Sequence, residues 1–175
     1  MIIAMLNPAL RKLALTAHVT ASVGWLGAVA AFLALAVAGL HSDAAHVVRA
    51  SYIAMDLTTR YVIVPLCFAA LVTGLVSSLG TPWGLFRHYW VVVKLALTVI
   101  GTLLLLLHAR PIESLARVAA GSVMRAGDHH QLRVQLVFDA AAALLLLIVN
   151  TTLALYKPSG LTRYGWRKQQ ESGEA

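Results

Sequence analysis

The chain has 175 residues, of which 59% are hydrophobic and only 12% are charged, and its formal net charge is +7. Soluble domains carry about 25% charged residues, so this composition, with a mean hydropathy of +0.78, excludes an ordinary soluble domain. The basic residues flank the apolar runs, where anionic lipid headgroups account for them, so nucleic acid is excluded as a partner. We therefore expect an integral membrane protein in contact with the lipid bilayer.

Four apolar runs are long enough to cross the bilayer as helices. A hydrocarbon core of about 30 Å needs ~20 apolar residues in a helix, and the runs cover residues 13–40, 61–80, 88–109 and 134–156. The first run is too long for the apolar part of a signal peptide, so it is interpreted as a retained helix. The pattern predicts an all-α, four-helix membrane bundle over residues 1–158 and a polar carboxyl-terminal tail over residues 159–175.

The connections between the runs differ in composition. Residues 41–60 place apolar side chains at helical spacing, so the second span is predicted to begin as an amphipathic helix. The segment Gly-Thr-Pro-Trp-Gly at 80–84 predicts a tight turn between spans two and three. Residues 110–133 are predicted to form a surface helix, and the tail after Lys157 and Pro158 is predicted to be mobile. Basic residues divide almost evenly between the two sides and favour an inside amino terminus by a single residue.

Polar residues recur at one depth in all four spans. A charged side chain at the centre of a bilayer costs about 2.5–3.5 kcal/mol on insertion scales, so each is expected to face the bundle interior. His18, Lys94 and Asn150 each lie six or seven residues from the nearer end of their span, which places them roughly 9–10 Å below the same face. Thr73 and Gly74 of the second span fall in the same layer.

A second polar layer is predicted towards the opposite face. His108 follows Lys94 by fourteen residues, on nearly the same side of the helix and about 21 Å further along the axis. Asp139 lies on this side as well and is expected to pair with Arg133 or Arg60. The remaining polar residues of this side are His41, His46 and Arg60.

Two histidine-bearing layers within a four-helix bundle indicate a ligand held between helices. Haem is the predicted ligand, because its iron binds neutral imidazole, its flat ring needs small residues near the backbone, and its propionates pair with Arg or Lys. Copper matches less well, because the layers contain almost no thiolate or thioether. No Cys-x-x-Cys-His segment is present for covalent attachment, so one or two non-covalent haem b groups are predicted.

The predicted metal ligands follow from the two layers. His18 is the predicted axial ligand of the first haem, with Lys94 or His88 completing or shaping that site. His108, together with His46, is the predicted ligand of a second haem. Three further residues are predicted to lie against the cofactor: Trp25, Gly74 and Arg60. In the alternative interpretation His18 only hydrogen-bonds a neighbouring helix, and Lys94 extends to the nearer interface.

Several segments resemble a known group of bacterial membrane proteins. AHVTASVGWLG, RYVIVPLCFAALVTGL, WVVVKLALTVIGTLLLLLHAR and the YKP that closes span four are similar, in this order, to the HemJ-type protoporphyrinogen oxidases. They are also similar to the wider group that includes CopD-like copper-resistance domains. The most specific features are the spacings of seven from His18 to Trp25 and of four from Trp90 to Lys94. The resemblance implies haem binding and activity through His18 and Lys94. The Asn-Glu-x-Pro segment of those enzymes has no counterpart here, so the likeness is to the wider group.

Three classes of function stay open at this stage. The first is a haem-dependent oxidoreductase or a cytochrome-b-like electron carrier, with an unknown electron donor and acceptor. The second is a CopD-like transporter of copper or another metal, and the third is a non-catalytic assembly subunit. We expect the first class, in the cytoplasmic membrane of a bacterium and able to form a homo-oligomer. The single cysteine, Cys67, is interpreted as a packing residue.

Overall fold

The structure is a computed structural model that describes residues 7–80, 84–121 and 129–171, and these residues are almost entirely helical. The helices are α1 (Pro8–His41), α2 (Ala45–Thr58), α3 (Val64–Leu79), α4 (Tyr89–Gly121), α5 (His130–Tyr156) and α6 (Arg163–Glu171). A π-helical turn, Thr59–Ile63, joins α2 directly to α3. The predicted all-α class is confirmed.

Four helices are long and apolar enough to cross a membrane, when α2, the π turn and α3 are counted as one continuous helix. They are α1, the continuous helix Ala45–Leu79, α4 and α5, with 34, 35, 33 and 27 residues. At 1.5 Å per residue they measure roughly 40–53 Å, whereas the hydrocarbon core is about 30 Å thick, so their ends project beyond it. The chain is therefore a multi-pass membrane bundle, as the apolar runs predicted.

Helix α1 lies at the centre of the bundle and packs against α2, α3 and α5. Its buried residues recur every three or four positions, which is the spacing of one helix face. They are Ala21, Trp25, Val29, Phe32, Ala36 and Gly39. Large apolar residues also cover much of the outer surface, as expected for helices that face lipid. The core therefore consists of a narrow stripe on each helix.

The amphipathic start of the second span is present as α2, whose buried face includes Tyr52 and Met55. At the π turn the buried positions are Thr59 and Ile63, and below it Cys67 and Ala70. A π turn inserts one extra residue into the helical repeat and so rotates the face that follows. This rotation keeps both halves of a long helix packed on the bundle.

The connection between spans three and four differs from the prediction. The surface helix expected over residues 110–133 is, in its first part, the end of α4, which continues through Pro111 to Gly121. Proline removes one helical hydrogen bond, but Ile112, Leu115 and Ala119 beyond it are buried, in a part of α4 that packs on α2. Helix α5 begins at His130, and residues 122–128 lie outside the described part of the chain.

Residues 159–171 of the carboxyl-terminal tail are described; they include α6 and pack on the segment before α4. The backbone N–H of Thr162 donates to the Arg87 carbonyl at 3.1 Å, and that of Tyr89 donates to the Gly160 carbonyl at 3.3 Å. Gly165 is buried against the Arg87 carbonyl, where a Cβ atom would clash with the backbone oxygen. Backbone hydrogen bonds therefore join this part of the tail to the segment before α4, and the mobility of the tail stays a prediction.

Candidate functional site

His18 of α1 is held by α3 through its Nδ1 atom. This atom lies 3.0 Å from the Ala70 carbonyl oxygen and 3.2 Å from Thr73 Oγ1, and the Thr73 hydroxyl donates to the Ala69 carbonyl at 2.5 Å. Because a carbonyl oxygen only accepts hydrogen bonds, Nδ1 carries the proton in this contact. The neutral ring therefore has its lone pair on Nε2, for which the described residues provide no hydrogen-bond partner.

Gly74 of α3 allows the His18 ring to lie against the helix backbone. A Cβ atom at this position would be 3.0 Å from His18 Cε1 and 3.3 Å from Nδ1, so the ring would have to move. The predicted proximity of His18, Thr73 and Gly74 at one depth is confirmed by these contacts. The role of these residues toward a cofactor stays a prediction.

Lys94 of α4 belongs to the same layer. It is half-buried and interacts electrostatically with His18, and within residues 7–80, 84–121 and 129–171 its amine makes no hydrogen bond or ion pair. Its backbone carbonyl accepts from Thr98 Oγ1 at 2.9 Å, and Thr98 in turn accepts from Asn150 Nδ2 at 3.1 Å. Asn150 Oδ1 is buried with no partner in the described structure. Two pairs of spans are thus joined by side-chain contacts, His18 with Thr73 and Asn150 with Thr98, and the electrostatic interaction of Lys94 with His18 connects them.

The groove beside His18 lies between α1 and α3 and has a volume of about 250 Å³. It is lined by Leu10, Leu13, Ala14, Ala17, Thr73 and Val76. Thr73 thus contacts both the groove and His18, while Leu10 and Leu13 are exposed on the outer surface. The groove is apolar and opens toward the lipid.

Two other predicted ligands lie in different surroundings. His88 precedes α4, its backbone pairs with Leu161 of the segment leading to α6, and its ring centroid is 6.5 Å from that of Trp90. His46 is exposed in the first turn of α2. These surroundings place neither the His88 ring nor the His46 ring beside His18.

His108 pairs with Asp139, so the expectation that Asp139 pairs with Arg133 or Arg60 is wrong. His108 Nε2 lies 3.2 Å from Asp139 Oδ2, and Nδ1 lies 2.8 Å from the Leu104 carbonyl oxygen. Since both ring nitrogens face oxygen atoms, His108 would have to release Asp139 before it could bind iron. The second haem stays a prediction without a free ring nitrogen.

Asp139 Oδ2 is buried and has no hydrogen-bond partner among the described residues, although His108 Nε2 lies 3.2 Å from it. Nδ1 must donate to the Leu104 carbonyl, which cannot donate. The carboxyl oxygen Oδ2 therefore keeps its capacity to accept a hydrogen bond.

Arg60 forms a bridge between the π turn and α4. Its Nε atom lies 2.9 Å from Asp56 Oδ1, and a terminal nitrogen lies 2.9 Å from Glu113 Oε1. Exposed ion pairs of this kind contribute little to stability. The predicted contact of Arg60 with a cofactor has no support in these interactions.

A cavity of about 190 Å³, which the sequence interpretation missed, lies between α1, α4 and α5 and does not include His18 or Lys94. Aromatic residues Trp25 and Phe32 line it from α1, and Thr59, His108 and Asp139 are the other lining residues with polar side chains. Small residues make the space: Gly101 on α4 and Ala140, Ala142 and Ala143 on α5. The run of four alanines after Asp139 was the signal in the sequence, since alanines that face a glycine leave room between helices.

Comparison of the chain with protein-family models, with curated proteins and with solved structures finds no match. The likeness to HemJ-type and CopD-like proteins therefore depends on the sequence motifs alone.

Proposed function

We propose that this chain is a membrane protein that binds haem b through His18. The observation that carries the proposal is the state of the His18 ring, whose Nδ1 atom is held by the Ala70 carbonyl while the Nε2 lone pair has no partner among the described residues. Histidines that bind metals commonly donate one ring N–H to a backbone carbonyl and use the other nitrogen as the ligand. The Nε2 atom of His18 would thus be available to bind the haem iron.

The surroundings of His18 are compatible with a flat ligand. The adjoining groove is apolar, and of its small residues Ala14 lies about one turn before His18 and Ala17 directly before it. Its volume is below the ~300 Å³ at which typical small-molecule sites begin. A porphyrin held by His18 would therefore be partly exposed to lipid, which suits a macrocycle with apolar faces.

Each residue of the layer has a distinct task in this proposal. His18 binds the iron, Ala70 and Thr73 orient its ring, and Gly74 lets the ring approach α3. Lys94 offers either a neutral amine to the iron or an ammonium group to a propionate, because only the neutral form has a lone pair. Haem supplies one-electron chemistry when bound. The proposal names no electron donor or acceptor. It includes a location in the cytoplasmic membrane of a bacterium and the ability to form a homo-oligomer.

No observation favours the copper alternative or the assembly subunit. Within the described ranges, no three side chains of His, Cys, Asp or Glu come together to hold a metal ion. Cys67 Sγ is buried and lies 3.0 Å from Thr102 Oγ1, as expected for a packing residue. Haem binding is therefore the single function proposed.

An absorbance spectrum of the purified protein tests the proposal. The chain is produced with ample haem supply, extracted in detergent and examined for a Soret band and for the haem-to-protein ratio. We expect His18→Ala to lose most of the haem and His130→Ala, in the exposed first turn of α5, to retain it. The absence of a Soret band in the parent protein, or full occupancy in His18→Ala, would overturn the assignment.

A further inference from the structure

The cavity between α1, α4 and α5 has the size of one small ring. A cavity of about 150 Å³ lined by apolar side chains is large enough to bind benzene, and this cavity measures about 190 Å³. Two aromatic side chains, Trp25 and Phe32, line it, so a flat ring would have aromatic neighbours. Of its lining residues, Leu104 of α4 and Ala142 of α5 are exposed, so the cavity opens toward lipid between these helices.

Three polar side chains that line the cavity, His108, Asp139 and Thr59, can form hydrogen bonds with a ligand. His108 Nε2 lies 3.2 Å from Asp139 Oδ2, and Oδ2 is buried without a hydrogen-bond partner among the described residues, so it can accept from a ligand. The Thr59 hydroxyl donates to the Met55 carbonyl at 2.8 Å, so only its acceptor capacity remains for a ligand. Asp139 and Thr59 can accept from a ring hydroxyl, and His108 can donate from Nε2 to a ring oxygen when both of its ring nitrogens carry a hydrogen. An acyl chain would leave these polar groups without partners.

We propose that this cavity binds the single-ring headgroup of a membrane-soluble quinone or quinol, with its tail leaving between α4 and α5. The ring oxygens interact with His108 and Asp139, and the ring lies beside Trp25. The site is separate from the layer of His18, so it does not depend on the presence of haem. It goes beyond the proposed haem function by naming a second, lipid-soluble ligand.

Quenching of tryptophan fluorescence measures this binding directly, because a quinone in contact with an indole ring quenches its emission. Purified protein in detergent is titrated with decylubiquinone, and the same titration of Trp25→Phe identifies the part of the signal that comes from the cavity. We expect saturable quenching in the parent protein and its loss in Trp25→Phe. The His18→Ala variant, used as a haem-depleted background, is expected to bind as the parent does, so failure of one proposal is distinguishable from failure of the other.

Two alanines of α5 provide the matched variants. Ala143 lines the cavity, whereas Ala141 is exposed and does not. Ala143→Leu fills the space and is expected to weaken binding by about tenfold or more, while Ala141→Leu leaves it unchanged. Asp139→Asn keeps the shape, removes the carboxylate and is also expected to weaken binding, which decides the matter if Ala143→Leu does not fold. Quenching that rises linearly without saturation, or equal affinity in both leucine variants, would overturn the proposal.

Discussion

Arg133 of α5 donates from Nε to the phenolic oxygen of Tyr52 of α2 at 2.9 Å, and both side chains are buried. The guanidinium carbon lies 5.7 Å from the centroid of the same ring. A terminal nitrogen of Arg133 donates to the carbonyls of Gly39 and Leu40 near the end of α1. A cation thus satisfies carbonyl groups that a helix end leaves without internal partners, and it joins three helices.

Replacement of Arg133 is expected to destabilise the bundle strongly. Arg133→Met leaves the Tyr52 hydroxyl and the end of α1 without their donor, which corresponds to about 3 kcal/mol or more of unfolding free energy. Tyr52→Phe removes one hydrogen bond and is expected to cost about 1–3 kcal/mol. Thermal unfolding in detergent, followed by near-ultraviolet circular dichroism, measures both. The exposed Arg49→Met is the control, and equal midpoints for it and Arg133→Met would contradict the prediction.

Gly39 is expected to be needed for the packing of Tyr52. A Cβ atom at Gly39 would lie 3.0 Å from Tyr52 Cζ and 3.2 Å from its hydroxyl oxygen, and the ring is held by Arg133. Gly39→Ala is therefore expected to lower stability by about 1–3 kcal/mol. Gly27→Ala in the same helix has nothing within 4 Å, so the better helix propensity of alanine is expected to leave stability equal or higher. The difference between their unfolding midpoints checks the prediction, which fails if Gly27→Ala is the more damaging change.

The sequence predicted more of the fold than of the candidate sites. Apolar runs of bilayer length depend only on local composition, so they gave four spans and the helical class. Matching depths predicted that His18, Thr73 and Gly74 lie in one layer, but not which of them are in contact. The burial of Arg133 could not be predicted, because a basic residue at a span end resembles an interfacial anchor until its neighbours in space are known. The pairing of His108 with Asp139 depends on the rotation of α4 against α5, which periodicity does not determine.

Gly74→Ala is expected to disturb haem binding although it does not replace a residue proposed to bind the iron. The added methyl group would displace the His18 ring from α3 and weaken the contact of Nδ1 with the Ala70 carbonyl. We therefore expect lower haem occupancy and a shifted Soret band compared with Gly27→Ala. The haem-to-protein ratio of the two purified variants measures the effect. Wild-type occupancy together with an unchanged spectrum in Gly74→Ala would show that the ring does not need this approach.

Substitution of Lys94 distinguishes a residue at the haem from one that extends to the interface. If the amine binds iron, Lys94→Met supplies a side chain of similar length with a soft ligand, so haem is expected to remain with an altered spectrum. Lys94→Ala is expected to open the site to external imidazole or carbon monoxide. Lys12→Met, at an exposed position of α1, is the control and should match the parent.

The opposite result has an equally definite meaning for Lys94. A side chain that reaches the interface contributes nothing at the iron, so both variants would keep the parent spectrum and exclude external ligands as well as the parent does. Optical spectra of the oxidised and reduced protein, with and without carbon monoxide, separate the two cases. In that outcome His88 would be the remaining predicted partner of His18. It would then have to leave its position beside Trp90, a movement that His88→Ala would reveal as a loss of haem occupancy.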